Sequence, residues 1–570
     1  MKQLAIIGLG PRGFYALENV ITELSQQDKE VEILIFENSK EPGAGHVWYE
    51  GQPNSNWINI TERALTGLRC RPKQHFKNVT IEAFPSYHNW CNFALEPHEN
   101  DTFPPRKKLG KYLNERFNSI KSETENLDLI KYISAEIQSI IHRNDKLILK
   151  SKTESWQCDD VLLTIGHQTT KTSDQIKAWQ QHTENNSNLL VFADAYPVNQ
   201  LESTRNTENI TIGIRGFGLA MVDIMRYLVI NNYGNFKVVD NSTFKTVYYK
   251  TKTQHLKLIP FSLDGLPLAP KPLNENIDNW YKPTKSELEF FKSEIEAITQ
   301  TDATATHISF IIKPIAKIAS RIYNDLNQNA FNHSFSNEEL ENIISNWLKD
   351  ADYKHELLQD ETISAYNLIE AYVNMALGTA TISLDFCVGQ VWRHCQPTLY
   401  KAFSYAQLDN EIIEDLIALD ERSKRYSYGP PIESMQQMLA LVDAEVLSLE
   451  FLKDPTINMI NDGWQLENED NKTVTCSTMI NSVLDAPKLL DITSPLVKNL
   501  LKDDLIQPMH SKLGIETSDD AYVITADGKR DIPIAVLGRL AKGSVIGVDA
   551  ILECFGPRIE NWASAYVNKL

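Results

Sequence analysis

Residues 4–13 read LAIIGLGPRG, and no other stretch constrains the fold as tightly. A short apolar run stops at a glycine, and the chain resumes with apolar residues at helical spacing in FYALENVITEL, 14–24. This is the pattern of a strand, a tight turn and a helix. Gly8, Gly10 and Gly13 stand at the G-x-G-x-x-G spacing, with Pro11 and Arg12 between the last two. In such a turn the first glycine allows the sharp reversal and the second lets a ligand reach the backbone. The third lets helix and strand pack closely, so that the helix N-terminus faces an anion.

The next strand, VEILIFE at 31–37, is rich in β-branched and aromatic residues and closes on Glu37. Glu37 lies 24 residues beyond Gly13, near the spacing of about 20 at which a carboxylate meets ribose hydroxyls. Strand, turn, helix and acid together predict a dinucleotide site. The same negative charge repels a 2′-phosphate, so this site suits FAD or NAD rather than NADP. A second unit recurs in ITIGIRGFGLAMVDIMRYLV, 210–229, with Gly216 and Gly218 in the turn and Asp223 on the helix. Met221 stands where a third glycine belongs, and Arg215, before Gly216, either meets a phosphate or is solvated.

From about 280 to 460 the pattern is predominantly helical. Thr284 with Glu287, and Ser336 with Glu339, have capping-box spacing. NEIIEDLIAL at 410–419 keeps the helical period, and RYSYGPPIES at 425–434 predicts a loop. Strand signals return after about 475, in TVTCSTMINSVL (473–484) and DIPIAVLG (531–538). The expected division is a first dinucleotide domain over 1–195, a second over 205–275, a helical insertion over 280–460, and a return over 475–570 that completes the first domain.

Acidic residues number 75 against 56 basic ones, a net charge of −19. Such a surface repels nucleic acid, and RKK at 106–108 is too short to make a basic patch. Seven cysteines are scattered without a CxxC, which predicts reduced thiols and no metal site. No stretch approaches the roughly 18 apolar residues of a membrane span, and the glycines interrupt the N-terminal run too early for a signal peptide. The expectation is a cytoplasmic protein with neither nucleic-acid nor membrane partners, its oligomeric state open and a homo-oligomer compatible with it.

Two glycine turns, joined by the strand DDVLLTIGH (159–167) ending in Thr164-Ile165-Gly166, resemble the two-dinucleotide flavoproteins. Within them the chain resembles the proteins related to class B and N-hydroxylating flavin monooxygenases. ENSKEPGAGHVW (37–48) matches the segment after the ribose acid, with Gly43 and Gly45 in its turn. DTFPPRKKLGKYL (101–113) matches the Pro-x-Arg stretch before a helix, and Asn59 in NWINIT stands where relatives place an asparagine near the flavin. The resemblance covers about the first 270 residues and the last 90. It implies an α/β fold with two Rossmann-like dinucleotide-binding domains and a large, mainly helical insertion. The cofactors it implies are FAD at the first turn and NADPH or NADH at the second. Departures are equally specific: Arg539 follows Gly538 where the family has Gly-Asp, with Gly547 and Asp549 as the substitute, and Leu263 in SLDGLP replaces an arginine.

The activity implied is an NAD(P)H-using, FAD-dependent monooxygenase of the N-hydroxylating type on a small amine or amino-acid-like substrate. A flavin oxidase or dehydrogenase without nicotinamide, and a non-catalytic redox sensor or complex subunit, are the alternatives. His46 and His167 are the weak candidates for acid–base work. Trp48 either stacks on the cofactor or fills the core, and Arg106 either meets the FAD phosphates or is a surface cation. The insertion serves as a lid or as an interaction surface.

Overall fold

The computed structural model describes residues 1–570 apart from 185, 206–208, 231–232, 252–254, 301–304 and 407. The opening stretch forms β1 (Gln3–Ile7), α1 (Pro11–Gln27) and β2 (Glu32–Phe36). Further on come α2 (Arg106–Thr124), β3 (Ile130–Ile133) and, past a three-stranded antiparallel ribbon, β4 (Asp160–Leu163). β3 pairs with β2 and β4 with β1, all parallel. Leu4, Ala5 and Ile6 have no exposed surface, as a parallel sheet covered on both faces requires.

A second parallel sheet begins with β5 (Leu190–Phe192) and β6 (Ile210–Arg215), followed by α3 (Leu219–Val229) and β7 (Leu256–Phe261). Three short segments of the 205–275 stretch, 206–208, 231–232 and 252–254, lie outside the described residues. The helical region follows. Its helices Lys285–Thr299 and Asn337–Lys349 open on capping boxes at Thr284/Glu287 and Ser336/Glu339. α4 (Asn410–Ser427) and α5 (Ile432–Asp443) are separated by only four residues. The loop read at 425–434 is thus shorter than expected. Proline costs stability in a helix interior but is tolerated at its start, and Pro431 stands directly before α5.

The return of the chain differs from the division drawn at 475. An antiparallel sheet of Thr456–Ile460, Gly463–Glu467 and Thr473–Cys476 begins inside the stretch read as helical. Its first strand is largely exposed, so it shows little apolar periodicity. β8 (Thr478–Asn481) then enters the second sheet between β5 and β6. Among the described strands after β8, β9 (Ile534–Val536) is the one that joins the first sheet, beside β4. The orders are β9-β4-β1-β2-β3 and β5-β8-β6-β7. A wholly buried four-residue strand announces itself in sequence but not its partner, which non-local pairing chooses.

α6 (Pro557–Lys569) closes the chain, and its Ile559, Trp562 and Tyr566 share one core with Phe14 and Leu17 of α1 and Leu113 and Phe117 of α2. A larger core fuses α3, the second sheet and the helical region. All seven cysteines are free thiols. Among the described residues no helix is long and apolar enough to cross a membrane, and no group of His, Cys, Asp or Glu could hold a metal ion.

Candidate functional site

The first glycine turn sits at the C-terminal end of β1, where a parallel sheet opens its ligand crevice. Gly8 has φ +91°, and a Cβ there would stand 2.7 Å from the Thr164 carbonyl oxygen. At Gly13 a Cβ would collide with the Gly8 carbonyl and lie 2.6 Å from Thr164 Oγ1. Thr164 Oγ1 itself donates to Gly8 O at 2.5 Å, so β4 buttresses the turn. Gly10 is different: an added Cβ would meet only Gly45 Cα, at 3.9 Å. Pro11 is the first residue of α1, and no side chain caps this 17-residue helix. The turn therefore has an open second glycine and bare helix N–H groups, the cradle a pyrophosphate needs. FAD fits these residues.

Around it, Glu37 Oε2 accepts the Leu9 N–H at 2.6 Å and Oε1 the Ser39 N–H at 2.8 Å. The carboxylate is half-buried at the end of β2. Gly43, with φ +92°, donates its N–H to Leu9 O at 2.6 Å, and Gly45 presses on Gly10. His46 is exposed and Trp48 half-buried on the single helical turn that follows. Arg12 donates to the Val548 carbonyl and lies against Gly538. Gly166 has φ +64° with open space beyond it. His167 stands beside it, and desolvation together with the Arg539 guanidinium lowers its pKa.

Asp549 pairs with Arg539 at 3.0 Å and faces Lys424 at 3.8 Å. Burial opposes its charge, but Arg539, Lys424, Lys542 and Arg12 outweigh this and hold the carboxyl below the usual range. Gly547, φ +76°, packs against the Tyr400 ring of the helical region.

The second turn repeats the logic in part. Gly216, φ +109°, donates to Phe261 O at 2.7 Å and lies against Ser482. Gly218 precedes α3 with open space around it and no side-chain cap. Met221 is fully buried, Leu263 is 85% exposed, and Arg215 donates to Asn481 Oδ1 at 2.9 Å.

The two units meet at Arg106, which is an ion-paired residue and not the free surface cation of one sequence reading. Arg106 is half-buried and engaged by protein groups. Its Nη2 lies 2.6 Å from Asp223 Oδ2 and 3.2 Å from the Tyr196 hydroxyl, and its Nε donates to Trp57 O at 3.2 Å. Tyr196 also donates to Asp223 Oδ2, at 2.6 Å. Burial works against the Arg106 charge, yet Asp223 and Tyr196 prevail and raise its pKa. Arg226, one turn along α3, is stacked 3.9 Å from the Trp57 ring centre. Burial lowers it to about 10 despite Asp223. Asn59, Arg106, Asp223, Arg226, Pro431 and Ser434 line one recess where the first unit, α3 and the start of α5 converge.

Sequence reasoning missed Tyr196, Arg226 and Ser434 and gave Asp223 no role. A signal was present in LAMVDIMRYLV, where two charges interrupt an otherwise apolar helix. Charges at such positions must be paired or functional.

Residues 5–168 match the family model described as FAD-NAD(P)-binding. Nitrosuccinic acid synthase npaA of Aspergillus oryzae is 22% identical over 553 residues, 90% of this chain and 83% of that protein. An L-aspartate N-monooxygenase (nitrosuccinate-forming) of Streptomyces cremeus is 25% identical over 201 residues, 29% of this chain and 28% of that protein. The solved structure of L-lysine 6-monooxygenase from Pseudomonas syringae aligns with all of this chain and 99% of its own, at 10% identity and a TM-score of 0.45.

Proposed function

We propose that the protein is an FAD-dependent, NAD(P)H-using monooxygenase that oxygenates the nitrogen of a small amino-acid-like amine. The observation that carries the reading is the recess between the two glycine-turn units. Residues next to the first dinucleotide unit, Asn59 and Arg106, share it with Asp223 on the helix that the second turn begins. The likeness to npaA and to the aspartate N-monooxygenase supports it.

In this reading the bare N-terminus of α1 and the open Gly10 hold the FAD pyrophosphate, and Glu37 receives the ribose hydroxyls. Bound FAD supplies the redox chemistry, taking two electrons from NAD(P)H and activating dioxygen. Gly218 and the start of α3 receive the nicotinamide nucleotide. Asn59 and Arg106 face the substrate, while Trp57 and Pro431 exclude water from it. Asp549, locked to Arg539, fixes the loop that replaces the family's Gly-Asp pair. His46 and His167 keep a proposed place near the cofactor. The four stretches of the chain become a first nucleotide unit, a second one, a helical wall and a returning segment shared by both sheets.

A second reading, a flavin oxidase without nicotinamide, draws on Met221 and Leu263 in the second unit. One assay separates the two. FAD-loaded protein in air is given NADPH or NADH with L-aspartate, L-lysine or no amine. The proposal expects amine-dependent consumption of reduced nucleotide and a product heavier by oxygen at nitrogen. Failure to consume either nucleotide while an amine is oxidised favours the oxidase.

A further inference from the structure

The two glycine turns share one backbone plan, so positions in the second can be matched to positions in the first. Gly8 donates its N–H to Phe36 O at 2.9 Å, and Gly216 donates to Phe261 O at 2.7 Å. Ile7 is in register with Phe36, as Arg215 is with Phe261. The residue that follows is Glu37 in the first unit and Ser262 in the second. In such a unit this region meets the adenosine ribose, where a carboxylate accepts the 2′-hydroxyl and an arginine accommodates a 2′-phosphate. The second unit lacks the acid at that position, so the groups around Ser262 decide between the two nucleotides.

A carboxylate stands two residues further on. Asp264 Oδ1 accepts the Leu266 N–H at 3.1 Å and the Ser262 hydroxyl at 3.3 Å, and Oδ2 accepts Arg425 Nη2 of α4 at 2.8 Å. Its side chain still has 57% of its surface open. The neighbouring cations among the described residues are already matched. Arg425 turns Nη1 to Glu361 Oε1 at 2.8 Å, and Glu361 in turn meets Lys354 at 3.2 Å. Lys453 packs against Gly265, with its Nζ 3.8 Å from Glu469. Arg215 reaches the other way, to Asn481 of β8. Leu263, which is largely exposed, brings no charge. A 2′-phosphate here would add negative charge beside Asp264 without an uncommitted partner, and like charges so placed cost binding. A 2′-hydroxyl adds no charge and can donate to the carboxylate.

We propose that the second unit selects NADH over NADPH, with Asp264 as the residue that excludes the 2′-phosphate. The inference rests on the reading of the second turn as a nicotinamide-nucleotide site and names the nucleotide it takes.

The test is a calorimetric titration of FAD-loaded protein, its first turn filled, with 5′-AMP and with 2′,5′-ADP, the adenosine ends of the two nucleotides. Wild type is expected to bind 5′-AMP about tenfold or more tightly than 2′,5′-ADP. The gap should narrow as ionic strength rises, because exposed charges are screened; a gap set by shape alone would not move. Asp264→Asn should close most of it, since the substitution removes the charge and releases Arg425 Nη2 for the phosphate. Leu263→Arg, at an exposed position that leaves Asp264 and Arg425 in place, should narrow it independently. A wild type that binds 2′,5′-ADP as tightly as 5′-AMP overturns the selection and leaves nicotinamide use standing, as does a gap unchanged in both variants. Binding of neither compound overturns the selection and the nicotinamide reading together. Selective binding of 5′-AMP by a protein that oxygenates no amine supports the selection and removes the monooxygenase.

Discussion

Three glycines of one turn carry three different constraints, and the structure makes them separable. At Gly13 the missing Cβ is space already taken by Gly8 and Thr164. At Gly10 it is open space with Gly45 Cα at its far side. Gly13→Ala should therefore cost stability, about 1–3 kcal/mol from forced displacement of helix against strand. Gly10 has φ −70° and ψ −171°, which alanine adopts freely, so Gly10→Ala should stay within about 0.5 kcal/mol of wild type. It should instead lower FAD retention, because its methyl occupies the approach to the backbone. Urea denaturation of the apo-protein and flavin content after gel filtration read the two effects. A Gly10→Ala protein that holds FAD as wild type does would contradict the assigned cradle. This turn was legible because its glycines are adjacent in sequence. Arg106 was not, because Asp223 lies 117 residues away and only folding brings them together.

At the scale of elements, buried charge joins α1 to α2. Glu18 receives Arg116 through Nη2 at 2.5 Å and Nε at 3.1 Å, with Arg71 Nη1 at 3.5 Å, and all three residues are buried. Burial disfavours the Arg116 charge, but Glu18 overcomes it and raises the pKa; for Arg71 burial prevails and the pKa falls. Removing the acid leaves two guanidinium groups confronting each other away from water. Glu18→Ala should thus destabilise the protein by about 3–5 kcal/mol, read as a shift in the urea midpoint, and a shift worth under about 1 kcal/mol would show the trio to be solvated. The capping boxes were readable because Thr284/Glu287 and Ser336/Glu339 act within one helical turn. The partner of β8 was not readable, since Thr478–Asn481 would suit either parallel sheet by pattern alone.

The whole molecule is nested. The chain builds most of the first sheet, most of the second and the helical region, then returns β8 to the second sheet and β9 to the first. That order places Gly538, Gly547 and Asp549 of the returning segment against Arg12 and the helical region. It also lets Pro431 and Ser434 close the recess between the units. The proposed function needs these two units to act together, the first turn holding FAD and the second delivering a reduced nicotinamide to it. The absorbance spectrum of FAD-loaded protein, recorded without oxygen before and after NADPH and then NADH, tests this directly. The account predicts a bound-flavin spectrum that bleaches with at least one of the two nucleotides. A protein that cannot retain FAD, or one whose flavin stays oxidised with both, would contradict it.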